Sequence, residues 1–445
     1  MLRDVVGKLA RRAAPAAPGS VGELVFSGPL PPARTGVATY DRAVLEGLRR
    51  IGFFDRHRMD VLWPIEPKDA PRLPGYRLGV FELGNNVEFH LEAYRAAFLA
   101  QASLIVLHDL ALDDFVRGLR TLGDPLGFMA TREAAALRQN LSSPDIVRNE
   151  PLREPWCAHV ARRARGIIVH SAFCKRYLEE AGCRTPVFVV PHPIVESEAE
   201  MRRGVDRGRE LRAMLEAKGM RSLVVAPGDL NEAKRLDAVL GAAGELDDVV
   251  HVALIGRRIE GYDVDRVVDS ARLGERVTLA TDVSDDDFLG WIGAADVVVD
   301  LRFPHRGEVS GSLIRAMQAG KPSIVSATGT YLDVPDDSLL RVAPGPTDPS
   351  ELAGRIRSLL EDPDLRARMG EAARARVEAV RTSEANAKGY EHAIEETLRL
   401  VRDPAHKALA IWGKALADLG ADEADLREGL GVSYARALAT FRGTS

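Results

Sequence analysis

SLVVAPGDL (222–230), VHVALIG (250–256), RVTLAT (276–281) and ADVVVDL (295–301) follow one another at helix-length intervals. Each is a near-continuous run of Val, Ile, Leu and Ala, not an alternation of apolar and polar residues, which is the pattern of a parallel strand buried on both faces. PSIVSA (322–327) and SLLRVAPG (338–345) extend the series. The same pattern recurs upstream as ELVFSGPL (23–30), RMDVLWPI (58–65), YRLGVFEL (76–83), SLIVLHDL (103–110), GIIVHS (166–171) and VFVVPHP (187–193). Between the runs lie amphipathic segments. Val37, Tyr40, Val44, Leu48 and Ile51, for example, recur at spacings of three and four and predict a helix after the first strand. Two doubly wound α/β domains are expected. PHPIVESEAEMRRGVDRGRE (191–210) has two prolines, then charge without an apolar period, and reads as the break between them.

Composition narrows the possibilities. With 445 residues, 46% hydrophobic and 28% charged, the chain can bury large cores and is neither fibrous nor broadly disordered. A net charge of −5 from 60 basic and 65 acidic residues argues against a nucleic-acid partner. Cys157, Cys174 and Cys183 form neither an even set nor a C-x-x-C pair, so a reducing cytoplasmic location is expected. No apolar run approaches transmembrane length. The start, MLRDVVGKLARRAAPAAPGS, reads as a frayed tail, with a weak peripheral membrane contact as the other reading.

Ligands of open α/β sheets collect where strand ends meet helix N-termini. Four loops qualify. Ser27 to Gly36 is a long Pro-rich connection in which Gly36, lacking a Cβ, lets a phosphate or sugar approach the next helix; an ordinary strand-to-helix connection is the alternative. His108, at the end of SLIVLHDL, faces the ligand crevice, where an imidazole can bond a hydroxyl or oxyanion; a structural role is the alternative, and His170 and His192 end strands similarly. Lys234 in PGDLNEAKRLD is either a point charge for a diphosphate or a solvated lysine at a helix start. In RGEVSGSLIRAMQAGKP (306–322), Ser310 suits an N-cap, and Gly311 with Ser312 opens a helix whose free amides can seat a diphosphate without metal. There is neither G-x-G-x-x-G nor G-x-x-x-x-G-K-[ST], and no H-x-x-x-H pair, so no metal site is expected.

Together SGPLPPARTGVATY, VHSAFCKRYLEEAG, VFVVPHPI, AKRLD and EVSGSLIRAMQAGKPSIVS resemble the large retaining glycosyltransferase family of GT-B fold, over residues 22 to 395. The resemblance implies two Rossmann-like domains with a helical C-terminal extension. The expected organisation is a flexible tail (1–21), an acceptor-side domain (22–193), an interdomain linker (194–210), a nucleotide-sugar-binding domain (211–380), and C-terminal helices crossing back plus a tail (381–445). It also implies transfer of a sugar from a nucleoside-diphosphate sugar to a hydroxyl acceptor with retention of configuration and no metal or other cofactor, in bacterial glycan or glycoconjugate biosynthesis. Gly36 would lie against the donor, and His108 would touch the hydroxyls of the transferred sugar. Lys234 would neutralise the diphosphate, while Ser310, Gly311 and Ser312 would give it amide donors. Thr281, Asp282 and Val283 would meet the base. Glu308 would replace the first of the family's two glutamates, whose positions here hold Gly307 and Arg315, and Asp229 stands where the family has an arginine. Those departures keep two further readings open: a sugar-nucleotide epimerase of the same fold, or a non-catalytic sugar-nucleotide-binding regulator.

Overall fold

The computed structural model describes residues 23–33, 35–138, 141–345 and 347–402. The sequence-based expectations for the 1–21 tail and the 403–445 extension lie outside the described residues. The first sheet contains β1 (Leu24–Ser27), β2 (Met59–Val61), β3 (Leu78–Leu83), β4 (Ser103–Leu107), β5 (Gly166–Val169) and β6 (Val187–Val189), in the spatial order β2-β1-β3-β4-β5-β6. The second contains β7 (Ser222–Pro227), β8 (Val250–Gly256), β9 (Val277–Thr281), β10 (Val297–Asp300), β11 (Ser323–Ser326) and β12 (Leu340–Val342), in the order β12-β11-β10-β7-β8-β9. Every pairing is parallel.

Successive side chains of a strand point to opposite faces, and here both faces are covered. Leu24, Phe26, Val80, Leu104, Val106 and Ile168 pack on one side of the first sheet, and Val25, Phe81, Ile105, Ile167 and Val169 on the other. That two-sided burial is why the strands read as unbroken apolar runs. On the first of these faces, the helix Gly36–Arg50 is joined by the helix Ser383–Arg402, which returns from the second domain and adds Ala387, Tyr390, Ala393, Ile394 and Leu398 to the core. The two helices approach closely at Gly47, where an added Cβ would lie 3.1 Å from that of Ala387.

The 194–210 segment differs from the expected linker. Only a short stretch after β6 is irregular; Glu198–Ala217 is a helix packed on the helix Asp285–Ala294 of the second domain. Ser197 caps it in a reciprocal box with Glu200, whose backbone N–H lies 3.3 Å from the serine Oγ. The first half of its contact face is made of Gly204 and Gly208, and this is why no apolar stripe marks it in the sequence. A Cβ at 208 would sit 2.8 Å from the backbone oxygen of Gly290, and one at 204 would sit 2.6 Å from the Leu289 Cβ. Leu211 and Leu215 supply the buried apolar contact farther along.

Gly208→Val should therefore force these helices apart and cost about 1–3 kcal/mol, the usual range for overpacking. Gly354→Ala lies on the exposed face of the helix Pro349–Glu361, where nothing is within 4 Å of the added methyl, and it should stabilise by about 0.4–1 kcal/mol. Urea unfolding of the two variants at equal m-value checks both signs.

Candidate active site

Strand order reverses between β1 and β3 in the first sheet and between β7 and β10 in the second, and a crevice forms at the carboxyl end of such a reversal. Both crevices hold charge. In the first, Gly36 opens its helix with open space around its Cα: no atom lies within 4 Å of an added Cβ, and Thr35 makes no side-chain cap bond. Four residues on, the buried Tyr40 ring meets His108 edge-on at 4.8 Å. His108 follows β4 directly, and its Nε2 lies 2.9 Å from Glu82 Oε2. Tyr390 donates to Glu82 Oε1 at 2.9 Å and shares a 2.8 Å hydrogen bond with the Tyr40 hydroxyl. His170 and His192 pack on the same Tyr40 ring. Polar atoms of Asp41, Glu82 and His108 lie within 4.8 Å of one another. Burial drives the His108 imidazole down to about 3 and lifts the Glu82 carboxyl to about 8. Burial thus favours the uncharged imidazole.

In the second crevice, Lys234 ends the short turn Glu232–Lys234. Its Nζ is buried, donating to Pro227 O at 3.0 Å and pairing with Asp300, the last residue of β10. Tyr331 donates to the other Asp300 oxygen at 2.9 Å. Burial pulls the lysine ammonium down while Asp300 pulls it up; burial works against the Asp300 carboxylate, but Lys234 and Arg302 hold it below its usual range. Beside this pair begins the helix Gly311–Gln318, with the Ser310 Oγ accepting from Leu313 N at 3.2 Å, as its N-cap position demands. Asp229 accepts a 2.8 Å bond from Arg257, which follows β8, so the acid at the position of the expected arginine is neutralised. Arg315 pairs with Glu196, which immediately precedes the capping serine of the helix Glu198–Ala217.

The loop from Arg302 to Val309 brings the two crevices together. Its Arg306 backbone oxygen accepts from Leu110 N and Ala111 N at 2.9 and 3.0 Å, and its guanidinium bonds Asp113 at 3.0 and 3.2 Å. His305 N donates to Asn149 Oδ1 at 2.8 Å, while the Asn149 amide donates to Thr328 at 2.8 Å. Gly307 has a φ of +88° and lies so near Leu110 that a Cβ would approach the leucine Cγ to 2.6 Å. No glutamate fits there, and the carboxylate stands one residue later. Glu308 pairs with Arg302 and accepts from Arg306 N at 2.7 Å. Burial opposes its charge, but His305 and Arg302 hold it down to about 2.

The structure thus groups Lys234, Glu308 and the Ser310–Ser312 helix opening in the second domain, brings the Arg306 loop beside them against residues 110–113, the segment that follows His108, and places Gly36 on the helix that carries Tyr40. Thr281, Asp282 and Val283 lie apart from them, at the end of the edge strand β9, where Asp282 N donates to Gly256 O at 3.1 Å. Lys234 and Glu308 also have partners within the protein, Asp300 and Arg302, that sequence reasoning did not supply. The signal for Asp300 was present as a lone acid ending a valine run, and Glu82 interrupts GVFEL in the same manner.

Residues 209–376 match the family Glycosyl transferases group 1. The match spans Lys234, Asp300, Glu308 and the Gly311 helix. No curated protein matches the chain. Among solved structures, Anabaena HepE in complex with UDP and glucose is similar with a TM-score of 0.61 at 16% identity, over 84% of this chain and 100% of that one. Sucrose-phosphate synthase from Thermosynechococcus elongatus gives 0.58 at 17%, over 84% and 98%. WaaG, a glycosyltransferase involved in lipopolysaccharide biosynthesis, gives 0.53 at 12%, over 83% and 99%. The fold is GT-B, and the group 1 match in its second domain supports sugar transfer.

Because Lys234 and Asp300 are both buried, removing one strands the other. Lys234→Ala should cost about 3–5 kcal/mol of stability, whereas Lys234→Met combined with Asp300→Asn should recover most of that loss. Chemical denaturation of the single and double variants measures the difference.

Proposed function

We propose that this protein transfers a sugar from a nucleoside-diphosphate sugar to a hydroxyl-bearing acceptor, with retention of configuration and without a metal cofactor. The observation that carries the reading is the docking of the loop that holds Glu308 and leads into the Gly311 helix, through Arg306, on residues 110–113, the segment that directly follows His108. Departure of a nucleoside diphosphate leaves negative charge, which preplaced donors stabilise without reorganisation. The amides at Gly311 and Ser312 line the side on which that charge develops, with the buried Lys234–Asp300 pair behind them and the half-exposed Arg257 guanidinium on the strand end nearby. His108, uncharged, hydrogen-bonds the sugar. The acceptor hydroxyl attacks on the face that the leaving group vacates and yields its proton to the diphosphate, so no carboxylate nucleophile is needed. Gly36 gives the donor close access to the first helix, and Thr281 to Val283 meet the base at the sheet edge.

HepE binding UDP and glucose supports a UDP-sugar as the first donor to try. The departures from the family pattern are each neutralised locally, Asp229 by Arg257 and Arg315 by Glu196, so neither leaves an unpaired opposing charge at the donor side, which favours an active enzyme over a regulator. Cys157, Cys174 and Cys183 are free thiols, in keeping with a cytoplasmic site of action in glycan or glycoconjugate synthesis. Among the described residues no helix is long and apolar enough to cross a membrane.

A thermal-shift panel of UDP, GDP, TDP and ADP tests donor binding. The true nucleotide at a hundred times its Kd should stabilise by about 2.7 kcal/mol. Transfer from the matching sugar nucleotide should give product with the donor's anomeric configuration by NMR and should survive EDTA. His108→Ala should lower the rate far more than it lowers stability. An inverted anomer, or loss of activity in EDTA restored by Mg²⁺, would overturn the mechanism.

A further inference from the structure

Glu82 is fully buried at the first-sheet crevice, with His108 on one carboxyl oxygen and Tyr390 on the other. The titratable side chains that face this pair are Asp41 and Tyr40 from the helix Gly36–Arg50, Tyr390 from the returning helix, His170 after β5, His192 after β6, and His90, whose Nδ1 lies 3.0 Å from the Glu82 backbone oxygen. Among the described residues none is a lysine or arginine; Arg381 acts on the rings of His170 and His192. A carboxylate here would sit beside a second buried acid, Asp41, whose two oxygens have no hydrogen-bond partner among the described residues. An uncharged acid fits instead. The Tyr390 hydroxyl donates to Oε1, so the acid proton belongs on Oε2, 2.9 Å from His108 Nε2. A neutral imidazole that accepts at Nε2 carries its own proton on Nδ1.

We propose that Glu82 is the positioning residue of this site: as an uncharged acid held by Tyr390, it donates to His108 Nε2 and fixes the imidazole as the Nδ1–H tautomer, a hydrogen-bond donor toward the bound sugar or phosphate. The role in transfer rests on the function proposed above; the tautomer does not. A donor suits an anionic or hydroxyl oxygen in the cleft, whereas ionised Glu82 would claim the imidazole proton at Nε2 and turn an Nδ1 lone pair toward the same oxygen. Tyr390 stands on the helix that returns from the second domain, so the wiring beneath His108 is completed by chain that follows that domain.

The pH dependence has a definite sign. Burial raises Glu82 to about 8 and keeps the His108 imidazole unprotonated down to about 3, so the donor form holds through neutrality and is lost as pH rises through about 8. Asp109, which follows His108, is raised separately, by burial and by Glu308, to about 7.

Ring-¹⁵N-histidine NMR on the whole protein, with kcat followed against pH, tests the assignment. His108 should be protonated at Nδ1 at pH 7 and should change tautomer as pH rises through about 8. Glu82→Gln keeps an N–H donor for His108 and a carbonyl for Tyr390; it should retain the Nδ1–H tautomer and most of the activity, and lose the limb near 8. Glu82→Leu should lower kcat about 100-fold, the scale of losing one aligned donor. Tyr390→Phe, a single hydroxyl removed should Glu82→Leu fail to fold, takes away a bond that favours the carboxylate and should move the limb to higher pH. An Nε2–H tautomer at pH 7, an unaltered limb in Glu82→Gln, or a divalent cation found at this cluster by elemental analysis would overturn the proposal. The expected tautomer in a protein that transfers no sugar would overturn the proposed function instead.

Discussion

A parallel sheet is stable only when both of its faces are covered, and much else in this molecule follows from how the first sheet meets that demand. One face is closed by helices of its own domain. The other needs the helix Ser383–Arg402, which comes from beyond the second domain. Burying Ile394 and Leu398 contributes roughly 1.5–3 kcal/mol each, a large part of the 5–15 kcal/mol that keeps a typical domain folded. The same helix carries Tyr390 to Glu82. A requirement of the core thereby places a side chain of the distal chain under the site.

Both crevices bury acids where the strand order reverses, and they handle the charge in opposite ways. Between β7 and β10, Asp300 stays ionised because Lys234 and Arg302 stand against it. Between β1 and β3, no such cation stands against Glu82 and Asp41 among the described residues, and burial pushes both up. Low dielectric makes either solution strict, since an unpaired charge in these positions is costly. The loop at Arg306 then spans the cleft, and its path past Leu110 leaves room for glycine alone at position 307.

The two strand series were legible because burial on both faces writes itself as unbroken Val and Ile runs, and each run is a strand. The cap at Ser310 was legible for a similar reason: local chemistry decides it. What the sequence hid depends on partners distant along the chain. The helix Glu198–Ala217 lacks an apolar stripe because Gly204 and Gly208 meet another backbone, a contact that composition reads as a linker. Lys234 is recognisable as a cation near a crevice, but its partner lies 66 positions away, and that of Glu82 at Tyr390 lies 308 away.

The returning helix also bears on how the chain is made. It begins about 190 residues after β6, so at about 5–20 residues per second the first sheet waits roughly 10–40 s on the ribosome before Tyr390 and its neighbours are synthesised. Through that interval, part of one face of the nascent sheet, including the side of the crevice that holds Glu82, is open to water and to other nascent chains. The amino-terminal half is the first to be made and the last to be closed.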